Sequence, residues 1–286
     1  ITIGVPTFKR AKLLERLLNS LARQNLKSFN VIISNNEFND KKELLNICLK
    51  FKNKFRYLSI YNHKMNIGSL SNLHFLLKKS KTKYFMWLAD DDEISHNYLK
   101  ELKNLLDKDL KVVSAMGRHK MFLSKKNFFI KESCKLSSKN TLFRIINFLI
   151  SSDDAAFYGL HRTKIIKKCT FEGYYWPIDN IITNVGYIIL FQLTLYGRTE
   201  YSDNTEWICH NYTNKYHSLP NDSFVKKIYE QLKFPIRRLN VNFLYIKKIN
   251  DHYKNYLYTA LSIPFILIFF FKRYFSFYSL FYFSLT

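Results

Sequence analysis

Four consecutive acids, Asp90-Asp91-Asp92-Glu93, directly follow the apolar run Tyr84-Phe85-Met86-Trp87-Leu88-Ala89, in a chain with only 22 Asp and Glu against 45 Lys and Arg. Carboxylates crowded in this way repel one another unless a cation sits among them. Hard oxygen donors suit Mg2+ or Mn2+ bound together with a phosphate-bearing substrate. The plainer reading is an acidic turn capping a helix that starts near Ser95, because helix N-termini favour acids. What surrounds the acids decides between the two.

The apolar run reads as a buried strand, which puts the acids at its C-terminal end, where open α/β sheets place their ligands. Upstream, residues 1–5, 29–34 and 56–61 read as strands, and residues 10–25, 41–51 and 71–79 carry apolar side chains at helical spacing. Alternating strand and helix with short loops predicts a mostly parallel central sheet flanked by helices. In such a sheet the loops Pro6-Thr7-Phe8-Lys9-Arg10, Asn35-Asn36 and Asn66-Ile67-Gly68 converge on the same crevice as the acids. Arg10 can neutralise a phosphate there, the amide of Asn35 can read a base edge, and Gly68 permits close backbone approach. Neither a P-loop nor a G-x-G-x-x-G fingerprint is present, and the chain has only 7 Gly, so a metal rather than a glycine cradle would hold phosphates.

The bulk composition is consistent with this. At 286 residues, 47% hydrophobic and 17% aromatic, the chain carries a sizeable core and is not a disordered tail. The net charge of +23 favours anionic partners, but the lysines are dispersed and no nucleic-acid motif accompanies them, which argues against nucleic acid. Cys48, Cys134, Cys169 and Cys209 are far apart and read as free thiols rather than zinc ligands or disulfides.

Taken in order, Val5-Pro6-Thr7-Phe8-Lys9-Arg10, Ile33-Ser34-Asn35-Asn36, Asn66-Ile67-Gly68 with Asn72, and Leu88-Ala89-Asp90-Asp91-Asp92 resemble the nucleotide-sugar half of family 2 glycosyltransferases of the GT-A type. The resemblance implies a GT-A nucleotide-diphospho-sugar transferase fold and an inverting, metal-dependent transfer, with a UDP-sugar as donor. It places Pro6, Thr7, Arg10, Asn66, Gly68 and Asn72 around the nucleotide-sugar, and Asn35 at the base-contacting position. Two departures stand out: Asn35 replaces an acid, and Ala89 replaces the first acid of the family's metal motif. Asp91 and Asp92 are therefore both candidates for the metal position, with Asp90 in support. The resemblance further implies a base acid at the start of a helix soon after the acceptor segment, where Asp179 falls just before the apolar residues 181–196, with Gly197 as their C-cap. Asp154 is the second candidate base, His217 a further metal ligand, and His210 a weaker version of the same. Trp176 is a candidate for stacking on an acceptor sugar.

The chain divides into a nucleotide-sugar half (residues 1–105), an acceptor half (106–222) and a basic, aromatic tail (223–286). Residues 256–271 are uncharged and include Pro264, followed by Lys272-Arg273. That is short of the roughly 20 residues a transmembrane helix needs. Abundant Tyr and Phe with flanking Lys fit a segment lying in the bilayer interface, the alternative being a helix packed on the catalytic domain. The expected enzyme works at the cytoplasmic face of a bacterial inner membrane on a glycan or lipid-linked glycan of lipopolysaccharide or capsule. The rival readings are a sugar-1-phosphate nucleotidyltransferase, whose Gly-rich first loop is missing here, and a basic membrane- or RNA-binding protein without catalysis.

Overall fold

The computed structural model describes all residues except 38–40, 132–134, 152, 172–173, 176–181, 184, 211–244, 255, 269–270 and 272–286; for 174–175 and 182–183 it describes the backbone alone. The predicted alternation is present: β1 (Thr2–Thr7), α1 (Ala11–Ala22), β2 (Asn30–Asn35), α2 (Lys42–Lys50), β3 (Tyr57–Asn62), α3 (Ser69–Lys79) and β4 (Tyr84–Trp87). These strands pair in parallel in the order β3-β2-β1-β4. Helix α1 buries Leu14, Leu17, Leu18 and Leu21 on one stripe against the sheet. It ends earlier than the apolar pattern suggests, because Gln24 and Asn25 bond instead to the segment after the acids. The Gln24 amide donates to the Ser95 carbonyl at 2.8 Å and the Asn25 N–H to the His96 carbonyl at 2.9 Å.

After β4 the chain continues through β5 (Glu93–Ile94), α4 (Tyr98–Lys108), β6 (Val112–Phe122), β7 (Phe128–Lys131) and α5 (Thr141–Ser151). A 3-10 turn (Ala155–Tyr158) leads to β8 (Leu160–Arg162), α6 (Thr163–Ile166), the short β9 (Tyr174–Tyr175) and β10 (Ile182–Thr183), α7 (Val185–Tyr196) and β11 (Arg198–His210). The helix expected from Ser95 starts only at Tyr98, since Glu93 and Ile94 pair with Ile208 and Trp207 as a strand. The nine-stranded sheet is thus parallel in its first half and mixed in its second: β8 runs antiparallel to both β4 and β6, β11 parallel to β6, and β5 antiparallel to β11.

Helix α7 is buried on every side from Ile188 to Leu195, so its polar side chains must be satisfied internally. Gln192 exchanges hydrogen bonds with the Thr170 backbone at 2.9 and 3.1 Å, and the Thr194 hydroxyl donates to the Phe191 carbonyl at 2.6 Å. Gly197 follows the helix as expected, but not in a left-handed cap, since Gly68 alone among the described glycines has positive φ. Its smallness answers a close approach instead. A Cβ there would lie 2.6 Å from the Lys111 carbonyl oxygen and 2.5 Å from a Val113 methyl. In the tail, residues 245–253 and 256–268 are helical, and Tyr245, Ile249 and Ile266 join the domain core. Tyr245 packs on Phe191 of α7 with ring centroids 4.3 Å apart and on Phe148 of α5 at 6.0 Å. No helix among the described residues is long and apolar enough to cross a membrane.

Replacing Gly197 with Ala pushes a methyl into backbone that a sheet holds in place, so Gly197→Ala should cost about 1–3 kcal/mol. Urea unfolding followed by circular dichroism reads this, and an unchanged midpoint would show that β6 yields at that corner.

Candidate active site

Strand β4 delivers its acids at the C-terminal edge of the parallel half, and each carboxylate meets a donor from a different part of the chain. The Thr7 hydroxyl at the end of β1 donates to Asp90 Oδ2 at 2.6 Å. Arg10, just before α1, reaches both Asp90 Oδ1 at 3.3 Å and Asp91 Oδ2 at 3.0 Å. Arg16, two turns into α1, bonds the Asp91 carbonyl. Asp92 turns the other way, accepting the Trp207 indole N–H of β11 at 2.9 Å. Glu93 holds His210 Nε2 at 2.9 Å, with Arg16 and Arg23 at 3.6 and 3.4 Å.

The three aspartates are 3–6% exposed, so ionising them is costly. Burial pushes the Asp90 carboxyl up to about 6; the Thr7 bond and Arg10 oppose this, while the Asp91 charge adds to it. Burial and the Asp91 charge raise Asp92 well above the usual carboxylate range, the Trp207 bond offsetting part of the rise. The bond from His210 draws Glu93 down. Trp207 itself is clamped between Tyr158 at 4.9 Å and His119 at 4.2 Å between ring centroids.

Asp90 forms one wall of a cavity of about 540 Å³ whose other walls include Pro6, Thr7, Arg10, Asn72 and Tyr158. A second cavity of about 330 Å³ lies beside it, lined by Asn35, Glu37 and Glu43 and sharing Lys9 and Arg10 with the first. The turn after β3 is fastened to β2 by a pair of amides. Asn36 donates to Asn66 Oδ1 at 2.6 Å and accepts from the Ile67 N–H at 2.9 Å, while the Gly68 N–H donates to Asn66 Oδ1 at 2.9 Å. Gly68 stands here for its backbone: φ is +79° and a Cβ would meet nothing within 4 Å. Asn35 is held by Asn62 at 2.9 Å and by the Glu37 N–H at 3.0 Å, and Asn72 donates to the Ser34 carbonyl at 3.2 Å.

The predicted residues Pro6, Thr7, Arg10, Asn66, Asn72 and Asp90 therefore line one cavity and Asn35 the adjoining one, with Asp91 tied to the first through Arg10. Asp92 lies behind that wall against Trp207. Asp154 precedes the 3-10 turn and lies against the first turn of α7, its Oδ2 2.8 Å from where a Cβ on Gly186 would be. Asp179, Trp176 and His217 lie outside the described residues. Lys9, expected only as part of the crevice loop, has φ of +56° and lines both cavities. Three participants were missed: Glu37 lines the second cavity, Tyr158 lines the first, and Trp207 holds Asp92. Only Glu37, an acid two residues beyond a strand end that points at the crevice, carried a local signal.

A divalent cation suits this wall. Among the described residues no three His, Cys, Asp or Glu side chains gather into a ready cage. Mg2+ does not require one, because it takes one or two carboxylates plus substrate phosphates. Asp90 offers such oxygens in the cavity wall and Asp91 stands beside it on Arg10, which already supplies compensating positive charge.

Comparison with known proteins agrees with this geometry. Residues 2–169 match the profile of Glycosyl transferase family 2, and the chain belongs to that family. It is 30% identical over 143 residues to an uncharacterized glycosyltransferase of Rickettsia bellii, covering 50% of this chain and 18% of that protein. It is also 30% identical over 106 residues to poly(ribitol-phosphate) beta-N-acetylglucosaminyltransferase TarP of Staphylococcus aureus, covering 36% of this chain and 32% of TarP. The matched stretches thus span a fifth to a third of these relatives. The crystal structure of S. aureus TarS 1-349 superposes with a TM-score of 0.69 at 18% identity, covering 96% of this chain and 72% of that one, which establishes the GT-A-type fold.

Two measurements probe the wall. With Asp90 at about 6 when folded and 3.8 as reference, the ligand-free protein binds the extra proton between those values, so its stability falls as pH rises through them, on the order of 3 kcal/mol. Asp90→Asn should therefore melt above wild type at pH 8, with the difference closing towards pH 4; equal melting at pH 8 would contradict a net penalty on the ionised form. Trp207→Phe keeps the ring stack but leaves the buried Asp92 carboxyl with the Cys209 thiol in place of its indole donor, and should lose about 1–3 kcal/mol in urea unfolding.

Proposed function

We propose that the protein is an inverting glycosyltransferase that moves a sugar from a nucleotide-sugar, a UDP-sugar, to a glycan or lipid-linked glycan in surface polysaccharide, lipopolysaccharide or capsule synthesis. The observation that carries this reading is the buried pair Asp90 and Asp91, bridged by Arg10 at the edge of the 540 Å³ cavity. Two similar folds support the donor class: TarS 1-349 has been crystallised with UDP-GlcNAc, and a Pyrobaculum calidifontis mannosyltransferase with GDP-Man and Mn2+.

In this reading residues 1–105 hold the donor, with Asn35 in the base cavity and Arg10 and Lys9 between the cavities, where a diphosphate would bridge them. Thr7 fixes the Asp90 carboxylate so that its free lone pairs face the donor. Bound Mg2+ or Mn2+ would offset the diphosphate charge as the leaving group departs. Residues 106–222 hold the acceptor, and Asp179 takes the proton from its hydroxyl. Tyr158 and the Trp207 clamp keep Asp92 from swinging into the cavity. The tail beyond residue 222 places the enzyme at the cytoplasmic face of the inner membrane.

The test is binding and slow hydrolysis of a nucleotide-sugar panel, with Mn2+ or with chelator. Wild type should bind a UDP-sugar only with metal. Asp91→Ala, and by the alternative register Asp92→Ala with the metal ligand moved one residue along, should weaken that binding, whereas Asp179→Asn should bind and turn over about a hundredfold or more slower. Folded wild type that binds no nucleotide-sugar would overturn the reading.

A further inference from the structure

The last described helix, residues 256–268, is built inside out. The side chains it turns into the protein are Thr259, Ser262 and Ile266, at 7%, 0% and 2% exposure. Those it turns to solvent include Leu257, Leu261, Leu267 and Ile268, at 59%, 47%, 47% and 51%. The two inward hydroxyls are satisfied locally, Thr259 on the Asn250 side-chain oxygen and Ser262 on the Tyr258 carbonyl at 2.6 Å. A helix packed only for the sake of its own domain would show the reverse pattern. Polar groups inside and aliphatic groups outside leave an apolar surface in need of an apolar medium.

This surface does not hang on a tether. Lys254 takes the left-handed conformation, φ +51°, and turns the chain from the preceding helix into this one. Tyr253 stacks on Tyr258 at 4.2 Å across that turn, Ile266 belongs to the main core, and Tyr245 of the preceding helix is packed on α5 and α7. The apolar face is therefore a fixed facet of the catalytic domain. Along the sequence the charge is one-sided: after Asp251 the chain to residue 286 has no Asp or Glu, while Lys254 precedes the helix and Lys272 and Arg273 come after it. At about 1.5 Å per residue the described residues 256–268 measure roughly 20 Å, against about 30 Å of bilayer hydrocarbon, and among the described residues no helix is long and apolar enough to span.

We infer that residues 256–268 lie flat in the interface of an anionic phospholipid bilayer, with Leu257, Leu261, Leu267 and Ile268 among the acyl chains and Lys254 at the headgroups. This deepens the membrane part of the proposed function and rests on it. The facet resolves the two alternatives for the tail into one arrangement, in which the helix packs on the domain by one side and docks by the other.

Co-sedimentation of the full chain with vesicles tests it. Vesicles of phosphatidylcholine with phosphatidylglycerol should retain the protein, weakening in high salt, and vesicles of phosphatidylcholine alone should retain it at least tenfold less. The outward substitutions Leu261→Ser and Leu267→Ser together should reduce retention at least tenfold while leaving the melting temperature and UDP-sugar binding unchanged. Retention that survives both substitutions would overturn the inference. So would a wild type that ignores vesicles but forms a dimer dissolved by the same substitutions, because the facet would then belong to a second copy. UDP-sugar binding, read on the same samples, separates these failures from a failure of the transferase reading itself.

Discussion

Three aspartates in a row cannot be buried at one strand end unless each is given a partner, and that constraint shapes the molecule around them. Asp90 draws in the end of β1 through Thr7, Asp91 shares Arg10 with it, and Asp92 reaches across the sheet to Trp207 of β11. The first two partners come from loops that parallel packing already brings together. The third requires the second half of the sheet to be in place. The mixed topology follows: β8 alone runs against the parallel block, β6 and β11 run with it again, and β11 lies beside β6 so that residues 207–210 come down onto the acids.

The division of labour among the acids has a physical basis. Asp90 sits in the cavity wall and shares the Arg10 guanidinium with Asp91, so the charge of the pair is offset where a ligand would enter. Asp92 is sealed behind them between an indole and a thiol, where burial favours its protonated form. The same run of identical residues thus yields one carboxylate in the cavity wall, one held beside it by Arg10, and one turned away onto Trp207.

Much of the first half was legible in the sequence because each crevice loop follows an apolar strand and each strand is separated from the next by a helix with a clear leucine stripe, as in Leu14, Leu17, Leu18 and Leu21. The second half was less so. Trp207 and His210 act on residues more than a hundred positions away, and nothing local in Glu206-Trp207-Ile208-Cys209-His210 marks that pairing. Lys9 gave no hint of its left-handed backbone, a conformation that lysine seldom adopts. Gly197 was expected where it stands, but for a helix cap rather than for its contact with β6. In the tail, the pattern of Thr259, Ser262 and Ile266 misleads an argument from hydrophobicity, because the buried side is the more polar one.

The hydrogen bond from Trp207 to Asp92 joins residues 115 apart in sequence. As the chain leaves the ribosome, the strands β1 to β4 emerge complete and can pair among themselves, while the acid that needs β11 waits unshielded until more than 200 residues have been made. Closing so long a loop comes late in folding. The corner that holds the acids is therefore among the last parts of the domain to set, and a nascent chain interrupted before β11 carries a well-formed parallel block with its most charged edge still open to water.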